Sequence, residues 1–515
     1  MKKKSLHIAA ILFSSISIAL LVVVSGLLMP ESTLGAQLLE SASGTPVFLP
    51  HIAKHYPPSI PTPTPTVPTP SPTPGTGPEV GQWMGTTSRD LLMSFEVSTS
   101  GASVKDFMLF TNFDFGACWG TVRITVPGPL AIVEGAFGYD LGTYSFSGEF
   151  TSTSTASGSY SFESYYISGC NSYLTQSGAW TAAKTLLDWQ IETVDSMGNT
   201  GHSSLVLDSA GLPHIAYHPD MSGYLKYAYY TGSSWQFETV DDTIGLGYYG
   251  DYSVSLALDA QQRPRIVYHD GDQNDLKYAR YNGTAWSIET VDSDSSITSS
   301  MALDSNGRPH ISYRSDSDQV LKYAYFDGVD WQIETVDSTY NVGVWSSLAL
   351  DSGERPHISY NDASNRDLKY AYYDGATWHI ETVDSVGDVG SYTSLALDSL
   401  DRPQISYHQV LGVDLKYAHF NGSNWQIETV VRNGIYSKSN PLVLDSADWP
   451  HICTRWDGGG GDMSLMYLWY DGAAWQVAHV STVPVGECSL ALDSAGNPAI
   501  SYYEYRGLKY AQGSE

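Results

Sequence analysis

From Leu186 to Ala511 short apolar runs return in a constant order, with IETV, SLALDS, PHISY and LKYAYY following one another in each copy. Apolar and polar positions alternate within them, which is the period of a half-buried strand. The unit is marked by Trp189, Trp235, Trp286, Trp331, Trp378, Trp425 and Trp475, and one copy reads WQIETVDSTYNVGVWSSLALDSGERPHISYNDASNRDLKYAYYDGAT. Four short strands in about 47 residues make one propeller blade, whereas leucine-rich repeats are shorter and helical repeats show a different period. The reading is an all-β chain with a seven-bladed β-propeller over 185–515.

Turn chemistry assigns the hairpins. In the DSxGxP segments an Asp caps the turn, a Gly supplies positive φ and a Pro fixes entry to the next strand. Asp208, Asp259, Asp304, Asp351, Asp398, Asp445 and Asp493 therefore read as turn-makers. One carboxylate per blade falls short of a calcium shell, and no short His spacing builds a zinc site; no cofactor is called for.

The Lys of LKYA is followed twelve residues later by the Glu of IET, from Lys226 and Glu238 to Lys416 and Glu428. A three-residue loop ending in a bulge would set each pair face to face. Met466 and Ala478 replace both members together, as touching residues would. Glu192 lacks an upstream Lys and Lys509 a downstream Glu, so the N-terminal strand is expected to close the ring beside the C-terminal one, with Glu192 meeting Lys509. Closure of this kind removes exposed sheet edges.

Ahead of the ring, residues 80–184 carry alternating runs such as LLMSFEVS and TYSFSGEF that predict a small β-sandwich domain. Its Trp83, Trp119 and Trp180 read as core before sugar platforms. Residues 37–79 form a Pro/Thr-rich linker, reading PPSIPTPTPTVPTPSPTPGTGP from Pro57 to Pro78, suited to an extended stalk. Residues 1–36 place Lys2–Lys4 before an apolar run, as in a signal peptide or an N-terminal membrane anchor. Both predict an exported protein, extracellular or on the cell surface, where disulfides persist. Cys118 and Cys170 share the small domain and are expected to pair; Cys453 with Cys488 is open. A formal charge of -29 disfavours nucleic acid and anionic lipid.

The repeat resembles those of the NHL and sialidase-type (BNR) propellers: LALDSAGNPAISY is similar to the NHL strand-turn-strand and YDGATW to a shortened sialidase Asp-box hairpin. The resemblance spans 186–511 and implies the fold, with functions that differ between relatives.

In the strand order above, the DSxGxP and DGxxW turns share a uniform rim. The other rim bears connections of varied length and is the place to look for function. There the residue ending each HISY strand forms a circle of His218, His269, Arg314, Asn361, His408, Arg455 and Tyr503. Nearby stand Trp345, Trp456, Asp270, Asp220, Asp316, Asp362, Tyr249, Tyr392 and Tyr436, a mixture suited to a polar ligand. A second set, His214, Arg265, His310, His357, Gln404 and His451, is expected to pack or hydrogen-bond against a neighbouring blade. The leading function is a secreted or cell-surface recognition protein for an extracellular glycan or protein. The alternative is an exported carbohydrate-active enzyme, a sialidase-like hydrolase or a polysaccharide lyase. Arg314 and Arg455 alone make a poor sialidase arginine cluster, while His218, His269 or His408 with Tyr503 and an Arg suit a lyase.

Overall fold

The computed structural model describes residues 78–514 apart from 89–91, 99, 115–118, 127, 168–169, 185–186, 197–201, 220–222, 245–252, 295–297, 411–412, 433–434, 436, 458–462, 482–484 and 505–506. The signal or anchor, nearly all of the stalk, Cys118, Asp220, Tyr249 and Tyr436 lie outside the described residues. Among the described residues no helix occurs.

Gly81–Lys184 forms one continuous nine-stranded antiparallel sheet rather than two packed ones, because Gly81–Thr87 pairs with both Leu92–Val97 and Ser172–Lys184. The sheet curls over itself: Phe107, near one edge, lies 5.4 Å from Phe146, near the other. Trp83 and Trp180 are buried in that aromatic core, as residues of this size in so small a domain should be.

Seven four-stranded sheets follow. Blade 1 comprises Ser203–Leu207, Pro213–Tyr217, Leu225–Tyr230 and Trp235–Asp241 from the axis outward, and blades 2 to 6 repeat it. Blade 7 takes three strands from the C-terminus, Val485–Leu492, Pro498–Glu504 and Gly507–Ser514, and its outermost, Asp188–Asp195, from the N-terminal end of the ring. The expected closure is present.

Its register is one residue from expectation. Glu192 lies opposite Tyr510 and Thr193 opposite Lys509, whose Nζ donates to Thr193 Oγ1 at 2.8 Å and pairs with Glu504 at 3.0 Å. The same holds in blade 1, where Lys226 faces Thr239 and Tyr227 faces Glu238. The hairpin loop has four residues, Thr231 to Ser234, closed by Thr231 N–H donating to Ser234 O at 3.0 Å. A one-residue slip sends Lys and Glu to opposite faces of the sheet.

Each of the two finds its partner in a different blade. Lys226 pairs with Asp195 at 3.1 Å, and Tyr217 Oη donates to the same carboxylate at 2.7 Å. Lys277 and Tyr268 do so with Asp241, Lys322 and Tyr313 with Asp292, Lys369 and Tyr360 with Asp337, and Lys416 and Tyr407 with Asp384. In every case the Asp ends the outermost strand of the preceding blade. The Glu instead accepts from the marker Trp of the following blade: Trp286 Nε1 donates to Glu238 at 2.7 Å, Trp378 to Glu334, Trp425 to Glu381 and Trp475 to Glu428. The Trp ring meets a Tyr of the preceding blade edge-on at every seam, from Tyr227 with Trp286 at 5.6 Å to Tyr510 with Trp235 at 5.8 Å across the closure. Near the axis Leu256 N–H donates to Ser204 Oγ at 3.0 Å, and equivalent bonds join Met301 to Ser255, Leu348 to Ser300, Leu395 to Ser347, Leu442 to Ser394 and Leu205 to Ser489.

The seam between blades 6 and 7 departs from this scheme. The axial Ser is Pro441, the Glu is Ala478 and the Asp is Ser481. In their place stand the Cys453–Cys488 disulfide and a network around Glu487, which accepts from Ser437 Oγ at 3.1 Å and Lys438 N–H at 2.8 Å and pairs with Arg455 at 3.3 Å. Cys170 is also disulfide-bonded.

Candidate functional site

Antiparallel order places two connections per blade on each face of the ring. On the uniform face the turn aspartates behave as read from the sequence: Asp208 Oδ1 accepts from Ala210 and Leu212 N–H, both at 2.8 Å. The second histidine set serves this face from within its own blade. His214 Nδ1 is hydrogen-bonded to Tyr227 Oη, His310 to Tyr323, His357 to Tyr370 and His451 to Tyr467, while Arg265 pairs with Asp259 at 2.5 Å. The partner comes from the adjacent strand, where a neighbouring blade was expected. Gln404 does both, accepting from Tyr417 and donating to Asp448 O of blade 6 at 3.2 Å.

On the variable face, strand Pro213–Tyr217 and its equivalents are sandwiched between adjacent blades, so the residue after each of their tyrosines is drawn into a seam. Tyr503 Oη donates to His218 O at 2.5 Å across the closing seam. His218 Nδ1 sits 3.1 Å from Tyr224 O, Arg314 donates to Asn341 Oδ1 at 2.9 Å, and Asn361 Nδ2 donates to Val389 O at 2.9 Å. Asp270 is paired with Lys277 at 2.5 Å, His269 is buried, and Trp456 packs into the blade 5–6 core. Most of the circle thus bolts blades together. Asp362 joins it, buried beside Lys369 at 3.4 Å.

Burial sets the charge of this layer. It pushes His218 down to about 4 and His408 down to about 3, the latter helped by the Arg455 guanidinium. Both imidazoles are neutral at physiological pH. His408 is 5% exposed and its Nε2 has no hydrogen-bond partner among the described residues.

Beside His408 the rim presents aromatic surface. Trp345 and Tyr392 occupy equivalent places at the start of the innermost strands of blades 4 and 5, with φ of 51° and 53°. Left-handed backbone at a bulky residue costs on the order of 1–3 kcal/mol. Both sit in bulges, where the pairing register shifts between Val344 and Ser347 and between Ser391 and Ser394. Gly343 and Gly390, both at φ 84°, let the backbone pass within contact of Leu321 and Leu368 of the preceding blade. Thr393 Oγ1 donates to Trp345 O at 3.0 Å and locks the two bulges together. The rings lie 4.2 Å apart, both half-buried, and Tyr392 stands perpendicular to His408 at 5.8 Å. Trp345 and Tyr392 were both singled out from sequence by residue type and by their place on the variable rim; their coupling through paired bulges had no sequence signal beyond the shared VG before each aromatic segment.

No family model matches the chain, and no curated protein does. Among solved structures it is similar to a polysaccharide lyase described as ulvan lyase, at 12% identity over 62% of this chain and 94% of that one, with a TM-score of 0.45. It is similar to the SapL1 lectin in complex with α-methyl fucoside at 12% identity, 57% and 99% coverage and a TM-score of 0.39. The Hadza microbial sialidase Hz136 aligns at 12% identity over 67% and 78%, with a TM-score of 0.38.

Proposed function

We propose that the propeller is a recognition module of an exported protein, binding a glycan on its variable rim against Trp345 and Tyr392. The observation that carries this reading is the pair of half-buried rings, held 4.2 Å apart by two strained bulges joined through the Thr393–Trp345 hydrogen bond. Blade 7 carries the same bulge between Val485 and Cys488, but there the place of the aromatic is taken by Glu487, which is spent on Ser437, Lys438 and Arg455, whereas in blades 4 and 5 it is filled by rings. Sugar rings offer C–H faces to aromatic platforms, and the neutral, unpartnered Nε2 of His408 adds a polar group beside them. Export is supported by the Cys453–Cys488 disulfide together with the N-terminal pattern.

Binding is favoured over catalysis on two grounds. The Arg455, Arg314 and Tyr503 groups that a lyase or sialidase would use are engaged in separate seams. Histidines held near 3 to 4 are poor general bases at neutral pH. A glycan array on the full chain, with product analysis of every hit, tests the proposal. Capture without turnover, lost in Trp345→Ala, supports it; new reducing ends or unsaturated uronate overturn it in favour of an exported carbohydrate-active enzyme.

A further inference from the structure

On the opposite, uniform face a cleft of about 890 Å³ separates the small domain from blades 6 and 7. Clefts of roughly 300–1,000 Å³ at domain boundaries are the usual size and place of small-ligand sites. Its two walls differ in chemistry. The propeller wall is aromatic: Trp469 stacks on Tyr467 at 5.2 Å and 20°, and Trp475 lies beside them. This continues a ladder that other blades also carry, such as Tyr323 with Tyr325 at 5.6 Å. In blade 6 alone the outer rung is Trp, where the others have Tyr229, Arg280, Tyr325, Tyr372, His419 and Gln512.

The facing wall is a run of hydroxyls from the small domain, Thr151, Ser154, Thr155, Ser157 and Thr181. Thr151 and Thr155 are hydrogen-bonded to each other at 2.8 Å, which fixes the hairpin that carries them. Asp471 is an oriented acceptor at the edge, its carboxylate held by Ala473 and Ala474 N–H and by Gln476 Nε2, each at 2.8 Å. Lys184 is the lone cation in the lining and stands 4.0 Å from Glu79. One paired lysine in a protein of charge -29 does not make an anion site.

The geometry points to this cleft as a second binding site, for a neutral oligosaccharide of a few rings whose apolar faces stack on Trp469 and Trp475 and whose hydroxyls meet the threonine and serine wall. It is separate from the rim site and does not depend on it. The test is saturation-transfer NMR on the full-length chain with maltotriose, cellotriose, xylotriose and mannotriose. Trp469→Ala removes the platform; Thr155→Arg fills the cleft from the small domain and leaves the ring's packing untouched. Saturation transfer from at least one trisaccharide, weakened tenfold or more by each substitution and retained in Trp345→Ala, is the expected result. Absence of transfer from all four, or transfer unchanged by both cleft variants, overturns the inference. Transfer lost only in Trp345→Ala assigns the sugar to the rim and likewise overturns it.

Discussion

Removing the Cys453–Cys488 bond should open the ring at one seam rather than weaken it evenly. The bridge spans 35 residues, and a loop of that length contributes about 4 kcal/mol by restricting the unfolded chain. Every other seam keeps at least two of the axial Ser, the Trp–Glu bond and the Tyr–Lys–Asp cluster to cushion such a loss. Here Pro441, Ala478 and Ser481 have removed all three. The Cys453→Ala, Cys488→Ala double variant is therefore expected to melt on the order of 5 to 10 °C lower. Its amide exchange should rise first in Pro450–Asp457 and Val485–Leu492. Ser481→Asp in that background rebuilds an acceptor between Tyr502 and Lys509 and should recover about 1–2 kcal/mol. Scanning calorimetry with hydrogen-exchange mass spectrometry reads both. An unchanged melting temperature, or exchange appearing first at the closing strands Asp188–Asp195 and Gly507–Ser514, would refute the seam argument.

Other predictions bear on the remaining seams and the rim. Asp384→Ala strands Tyr407 and Lys416, both buried, and should cost about 3 kcal/mol, read as a lower urea midpoint at constant slope. Acid should destabilise the ring early: His218, His408 and His479 are held neutral by burial at about 4, 3 and 4. The unfolded chain then binds up to three more protons as pH falls from about 6.5 toward 4, a loss approaching 4 kcal/mol per pH unit, and denaturation curves at pH 7, 6 and 5 check the slope. Below that range Asp241, Asp337 and Asp384 add to the loss: burial opposes their ionisation, but the Tyr, Lys and turn hydrogen bonds outweigh it and hold them below the usual carboxylate value. Trp345→Gly should leave stability unchanged or raise it by about 1 kcal/mol while abolishing glycan capture, because glycine relieves the left-handed backbone.

The ring was legible because seven near-identical units leave one architecture that fits, and because closure was encoded in unmatched ends. The lysine and glutamate partners were not. Each hairpin loop runs one residue longer than assumed, and with a side-chain period of two that reverses every facing pair. The joint change at Met466 and Ala478 was two changes at two seams: Met466 goes with Val431, which stands where Asp384 does in blade 4, while Ala478 leaves the Trp189 Nε1 of the next blade without a partner among the described residues. Blade-to-blade contacts leave no short-range pattern, so a pairing within one hairpin was read from two changes that each concern a different seam. The circle sits at the strand ends where the sequence put it, but strand-end position alone does not say that a side chain is buried, as His269, Asp270 and Tyr503 are.

A crystal structure of the chain soaked with the strongest glycan from the array tests the central claim most directly. The account predicts a sugar ring in van der Waals contact with Trp345 or Tyr392 at the variable rim, with a hydroxyl within hydrogen-bond reach of His408 Nε2. Density for the glycan elsewhere on the ring, with both aromatic rings bare, would contradict it.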